Sequence, residues 1–209
     1  MNVRNVIILI IIIVLLIVAF ILYSRYDTKY TVITKGVRKA SKEMKVTSKK
    51  ILIAKPRYGL KSTFSFWMYI NDWDYKYNKE KIIIKKGKFE LGLRKRTNNI
   101  YLQIPTINGL EIMEFKNLPL QKWLHVVLII NNRDVEMWFN GELYASKFLK
   151  FIPKYLEKED TYICPDGGFS GFTANIYHYN YPLNFNLIKK TYKLGNINLK
   201  ELKELKICN

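Results

Sequence analysis

QKWLHVVLIINNRDVEMWFNGELYAS, residues 121–146, decides the fold of this 209-residue chain. Leu124, Val126, Leu128 and Ile130 recur at every second position, as do Val135, Met137 and Phe139. Successive side chains of a strand point to opposite faces, so each set marks the buried face of a pleated strand. Two turn signals frame them: NNRD at 131–134, and Asn140-Gly141, the pair that most favours a type I′ hairpin turn. The opposite face carries His125, Val127, Ile129, Glu136 and Trp138, which is too apolar to lie bare in water. A second layer or a partner has to cover it.

Working outward, the period of two begins near residue 51. It runs through TFSFWMYI (63–70), KIIIKK (81–86), KFELGLR (88–94), IYLQI (100–104) and LEIMEF (110–115), and after the central block through ELYASKFL (142–149) and GFTANIYHY (171–179). With WLHVVLII (123–130) and VEMWF (135–139) these make nine strands broken by turn signals. Between residues 51 and 184 no long helical pattern appears, which excludes a parallel βαβ architecture and predicts an all-β, two-sheet antiparallel sandwich. In the run at 63–70, Phe64, Phe66, Met68 and Ile70 take the core side, leaving Trp67 and Tyr69 on the other.

Residues 6–22, VIILIIIIVLLIVAFIL, are an unbroken apolar run of seventeen. As a helix rising ~1.5 Å per residue it is long enough to cross the hydrocarbon of a thin bilayer. The sequence after it, YSRYDTKY, has no small-x-small cleavage pattern, so the run is read as a retained anchor. Arg4 stands alone before it, while Arg25, Lys29, Lys35, Arg38, Lys39 and Lys42 follow. The positive-inside rule therefore predicts a single-pass protein with its large domain on the cytosolic side, and the basic cluster would lie on anionic lipid headgroups. The organisation expected is an anchor with flanks at 1–27, a basic juxtamembrane linker at 28–50, the sandwich at 51–195 and a helical tail at 196–209. In the tail Asn198 and Glu201 have capping-box spacing, and Leu199, Leu202 and Leu205 form a stripe.

Apolar residues at 49% and charged residues at 25% describe a folded chain, and its net charge is +18. Such a surface attracts nucleic acid, anionic lipid or an acidic protein alike. No basic helix, zinc spacing or RNA-binding motif accompanies the charge, so nucleic acid is set aside as a partner. Cys164 and Cys208 are the two cysteines, too few for a disulfide scaffold and in keeping with a reducing compartment.

Catalytic patterns are also absent. Sandwich glycosidases need paired carboxylates at alternate strand positions, whereas Glu111 and Glu114 are three apart and fall on opposite faces. Asp72 and Asp74 sit in NDWDY, where turn geometry alone accounts for them, and a calcium ion would need further oxygen ligands. His125 and His178 lie inside strands, and nothing orients a Cys164/His178 pair as nucleophile and base. PDGGFSG at 165–171 opens a strand and not a helix, so it is no phosphate cradle. The chain is expected to be no enzyme and to hold no cofactor or metal.

Three stretches carry a family resemblance: STFSFWMYI at 62–70, the central block at 121–146, and GGFSGFTANIYHYNYPLNFNLIKKTYKLG at 167–195. In this order they resemble the opening strand, the tryptophan-strand-hairpin signature, and the closing strand with its short helix of a laminin G-like, concanavalin A-like jelly roll. The resemblance implies a jelly-roll sandwich followed by a short C-terminal helix. An N-terminal anchor before such a domain also resembles membrane-anchored proteins of large nucleocytoplasmic DNA viruses. A structural or interaction protein is thereby expected, as a minor virion protein joining an internal membrane to a capsid or other shell protein. The alternative is a glycan-binding, lectin-like adhesion module, which would need its sandwich on the other side of the membrane. In either case the contact face would comprise Trp67, Tyr69, Trp138, Tyr177 and Tyr179.

Overall fold

Every strand read from the alternation is present in the structure, a computed structural model that describes residues 3–27, 30–51, 60–154 and 159–195. Helix α1 spans Val3–Asp27. The strands that follow are β1 (Tyr30–Val32), β2 (Val37–Lys39), β3 (Met44–Val46), β4 (Lys61–Ile70), β5 (Lys81–Lys86), β6 (Phe89–Leu93) and β7 (Ile100–Thr106). The chain continues through β8 (Gly109–Phe115), β9 (Trp123–Asn131), β10 (Asp134–Phe139), β11 (Glu142–Phe148), β12 (Thr161–Ile163) and β13 (Gly171–Tyr179), and helix α2 (Phe185–Leu194) closes it. The first sheet has the order β1-β13-β4-β9-β10-β11, with β2 also on β13; the second has the order β3-β12-β5-β6-β7-β8. All pairings are antiparallel, which makes the predicted two-sheet jelly roll.

The core lies between the sheets, where Phe64, Phe66, Met68, Ile70, Leu124, Val126, Leu128, Ile130, Val135 and Met137 meet Ile83, Leu91, Leu102 and Phe115 of the second sheet. Burying a side chain of this size is worth ~1.5–3 kcal/mol, so the period-two sets supply most of the driving force. The turn at Asn140 (φ 51°) and Gly141 (φ 79°) has both central residues left-handed, as a type I′ hairpin requires.

The stretch expected as a linker at 28–50 instead supplies β1, β2 and β3, which pair with β13 and β12. β12 is likewise three residues long and escaped the pattern reading. A three-residue strand has one inward side chain and no period to detect, and sheet pairing, not local sequence, makes it. β1 and β2 run as one broken strand along β13, from Tyr30 opposite Tyr179 to Lys39 opposite Phe172. Seven residues of strand cover ~23 Å. Lys39 and Lys42 therefore stand at the end of the sandwich remote from Tyr30, and the Arg38 guanidinium is turned onto the Lys42 carbonyl. The expected membrane-surface cluster is thus spread along the sheet edge, while Lys29 and the side chain of Arg25 lie outside the described residues, as does the whole tail at 196–209.

The apolar window of α1, Arg4–Leu22, has a mean hydropathy of 3.6 and none of it is buried against the rest of the chain. By length and composition it can cross a bilayer, as an anchor or as a signal sequence.

Candidate functional site

The outward face of the first sheet carries Thr63, Ser65 and Trp67 from β4, His125, Val127 and Ile129 from β9, and Trp138 from β10. A register shift in β13 between Ala174 and Tyr177, with Asn175 left-handed at φ 49°, swaps the parity of the strand. Ile176 and His178 thereby turn inward, and Tyr177 and Tyr179 turn outward beside Ser65 and Thr63.

After β13 the chain folds back over this face. The Thr63 hydroxyl donates to the Tyr181 carbonyl (2.8 Å) and accepts from the Leu183 amide (3.2 Å), fixing the crossing. Asn184 then caps α2, its side-chain oxygen accepting from the Leu187 amide at 2.9 Å. Ile188 of α2 packs with Val127, Ile129, Tyr179 and Leu183 as a second, smaller core outside the first sheet. Further along α2, Tyr192 stacks on Trp67 with ring centroids 5.6 Å apart, and Trp67 is left 6% exposed.

Beside α2 the cover stops short and leaves a cleft of about 350 Å³. Its walls are Tyr30, Tyr177, Tyr179 and Tyr181 on one side and Leu187, Lys190 and Thr191 of α2 on the other; Ser65, Trp67 and His125 form its floor. The tyrosines make a run of ring contacts, Tyr30 to Tyr179 at 5.7 Å, Tyr177 to Tyr179 at 6.5 Å, and Tyr179 edge-on to Tyr181 at 5.7 Å. Burial pushes the Tyr179 hydroxyl up to about 12, so it stays a neutral donor at physiological pH.

His125 is the polar group at the floor. Its Nε2 is 3.0 Å from Ser65 Oγ, its ring packs on Trp67 at 5.1 Å, and its Nδ1 is buried without a partner. Burial holds its pKa down to about 4, so the imidazole is neutral at pH 7, and its unpartnered Nδ1 lies beneath the floor of the cleft. Such a site can hold a ring or a compact apolar group with one polar atom. The Ser65 hydroxyl that meets its Nε2 is buried with it, at 1% exposure for each residue.

Of the five residues expected on a contact face, Trp67, Tyr177 and Tyr179 line this cleft, although Trp67 is enclosed by α2. Tyr69 shares the face but lies further along β4, against Trp123 at 5.6 Å. Trp138 lies towards the other end of α2, opposite Phe185 at 6.2 Å, with its indole N–H donating to Glu136. Tyr30, Tyr181, Ser65, His125 and Lys190 were not expected to take part. Tyr181 could have been read from the alternation of Tyr177, Tyr179 and Tyr181, but Tyr30 belongs to a strand without a pattern.

The other groups weighed for chemistry are dispersed. His178 faces the core on Phe64 with its Nε2 2.9 Å from Ser62 Oγ, and burial with nearby Lys86 holds its pKa down to about 3. Cys164 is buried at the other end of the sandwich beside Gly168, its thiol pushed up to about 12 by burial. The two are not brought together. Asp72 accepts from the Tyr75 amide (2.9 Å) and the Ser170 hydroxyl (2.6 Å), a turn-holding role. Glu111 accepts from the amides of Lys150 and Phe151, and Glu114 pairs with Arg94.

A profile of the concanavalin A-like lectin/glucanases superfamily matches residues 47–184. Among solved structures, the receptor binding domain of botulinum neurotoxin mosaic serotype C/D superposes with a TM-score of 0.57 at 20% identity, over 83% of this chain and 47% of that one. The botulinum neurotoxin serotype D ligand binding domain, solved in complex with N-acetylneuraminic acid, gives 0.55 at 18% identity over 83% and 47%. The chain spans about half the length of these structures, and likeness at this identity establishes the fold. No curated protein sequence matches.

Proposed function

This chain belongs to the concanavalin A-like lectin/glucanases superfamily, and from that premise we propose that it is a non-enzymatic, membrane-anchored interaction module. Helix α1 holds it to the bilayer, the sandwich stands on the cytosolic side, and the aromatic cleft takes an apolar group presented by a protein partner. The observation that carries this reading is the cleft itself, an opening lined by four tyrosines beside a helix that covers the rest of the face. Aromatic residues dominate the energetics of protein contacts, and a net charge of +18 favours an acidic partner. A shell protein facing an internal membrane, as in a virion, would be a partner of this kind.

A second reading is supported by the four tyrosines that line the cleft: a sugar ring stacked on them. It needs the sandwich on the lumenal or outer side. Protease protection on sealed vesicles carrying the full chain separates the two. Digestion of the sandwich from the cytosolic side is expected for a protein partner, and a protected sandwich would overturn that reading in favour of the glycan.

A further inference from the structure

The end of the sandwich at which α1 is tied in carries exposed apolar side chains that neither the core nor the cleft uses. The β7–β8 turn presents Ile107, 62% exposed, and the last residue of β11 presents Phe148 at 73%, with Phe151 and Ile152 exposed just after it. The backbone holds them together. The Ile107 amide donates to the Ile152 carbonyl (3.0 Å), Leu149 donates to the Arg133 carbonyl (2.8 Å), and Glu111 accepts from the Lys150 and Phe151 amides at 2.8 and 2.9 Å. Exposed cations stand at this end of the sandwich: Lys50, Lys61, Lys88, Arg133, Lys150 and Lys154, against Glu111, Asp134 and Glu159.

The same end receives the anchor. Tyr30 begins β1 opposite Tyr179, and the Thr31 hydroxyl donates to the Lys50 carbonyl at 3.0 Å. From the last residue of α1, Asp27, to Tyr30 the chain can reach at most ~11 Å. The helical turns from Leu22, where the apolar window ends, to Asp27 add ~7.5 Å. The tether thus keeps this end of the sandwich turned towards the bilayer from its β1 edge, with the apolar tip at the opposite edge, on β11 and the β7–β8 turn.

We propose that this end of the sandwich docks on the anionic lipid surface, with Ile107, Phe148, Phe151 and Ile152 entering the headgroup layer and the cations of this end lying on lipid phosphates. The proposal rests on α1 being a retained anchor. An apolar tip at an end that carries cations suits a leaflet that offers both an acyl boundary and negative charge. It also gives the membrane-facing cations a location, since Lys39 and Lys42 stand at the far end.

The full chain, carrying Cys208→Ser, is reconstituted into vesicles and labelled with an environment-sensitive fluorophore at Ile107→Cys or, as the far-end control, at Asn78→Cys. Buried Cys164 stays unlabelled in the folded protein. Headgroup nitroxide lipids are expected to quench the label at 107 and not at 78 in phosphatidylserine-rich vesicles. Introducing Lys150→Glu should lower the docked fraction by roughly fivefold or more, and phosphatidylcholine vesicles should lower it further, because every cation of this end then loses its anionic surface. Equal quenching at both positions in chains that resist carbonate extraction would overturn the docking while leaving the anchor intact. Release of the chain by carbonate would overturn the anchor reading itself.

Discussion

The two sheets share one core but differ in what they show to the outside. On the second sheet the outer face is a charged ladder: Lys85 pairs with Glu90 at 2.8 Å, and Arg94 bridges Glu80 at 3.1 Å and Glu114 at 2.6 Å while lying over the Tyr101 ring at 4.6 Å. An antiparallel sheet with one polar face is content in water. The first sheet has Val127, Ile129, Trp67, Trp138 and the tyrosines of β13 on its outer face, and it folds Tyr181 to Leu194 back to cover them. The face that needs cover is the face whose cover ends in a cleft.

The largest effects should therefore come from prying α2 off its sheet. Ile188 is fully buried in that joint, and Ile188→Ala should cost ~2–5 kcal/mol in denaturant unfolding of the full chain. A loss below ~1 kcal/mol would mean that α2 merely rests on the sheet.

Acid should act as strongly over its full range, because both strand histidines are held neutral by burial. Their folded pKa values, about 4 for His125 and about 3 for His178, lie below the ordinary 6.5. The unfolded chain then binds more protons below pH 6.5, so stability falls as pH drops. The expected slope is ~1.4 kcal/mol per pH unit per histidine, ending near pH 4 for His125 and pH 3 for His178. His125→Gln should flatten the part of that slope assigned to the outer face, as measured by urea midpoints across pH.

Smaller still is the helix cap. Asn184→Ala removes the acceptor for the Leu187 amide and should cost ~1 kcal/mol, read as a matching drop in the unfolding midpoint. On the charged ladder, Glu90→Ala breaks a pair between partly exposed side chains and should cost less than ~1 kcal/mol. If Glu90→Ala costs more than Asn184→Ala, the contrast between the two faces is wrong.

The long strands were legible because eight or nine residues of alternation leave no other reading, and the apolar outer face of β4 and β9 demanded a cover before any was seen. The three-residue strands were not legible. YTV at β1 and VRK at β2 hold their places through backbone bonds to β13, and the lysine and arginine of β2 read as part of a solvated linker. The cleft was half legible. The tyrosines of β13 announced it, but the bulge at Asn175 that aims them, the Tyr30 wall supplied from 147 residues upstream of Tyr177, and the unpaired Nδ1 of His125 are products of pairing across the fold.

The most direct measurement is partner retention by the full chain extracted from its own membrane in mild detergent, compared across substitutions on the two outer faces. Tyr30→Ala and Tyr177→Ala remove cleft walls at half-exposed or exposed positions, and each should weaken the co-isolated partner by at least ~2 kcal/mol, roughly thirtyfold, while the lost ring contact with Tyr179 lowers unfolding stability by only ~1 kcal/mol. Glu90→Ala should leave it bound. Retention of the partner by both tyrosine variants together with its loss from Glu90→Ala would contradict the assignment of the interaction to the aromatic cleft.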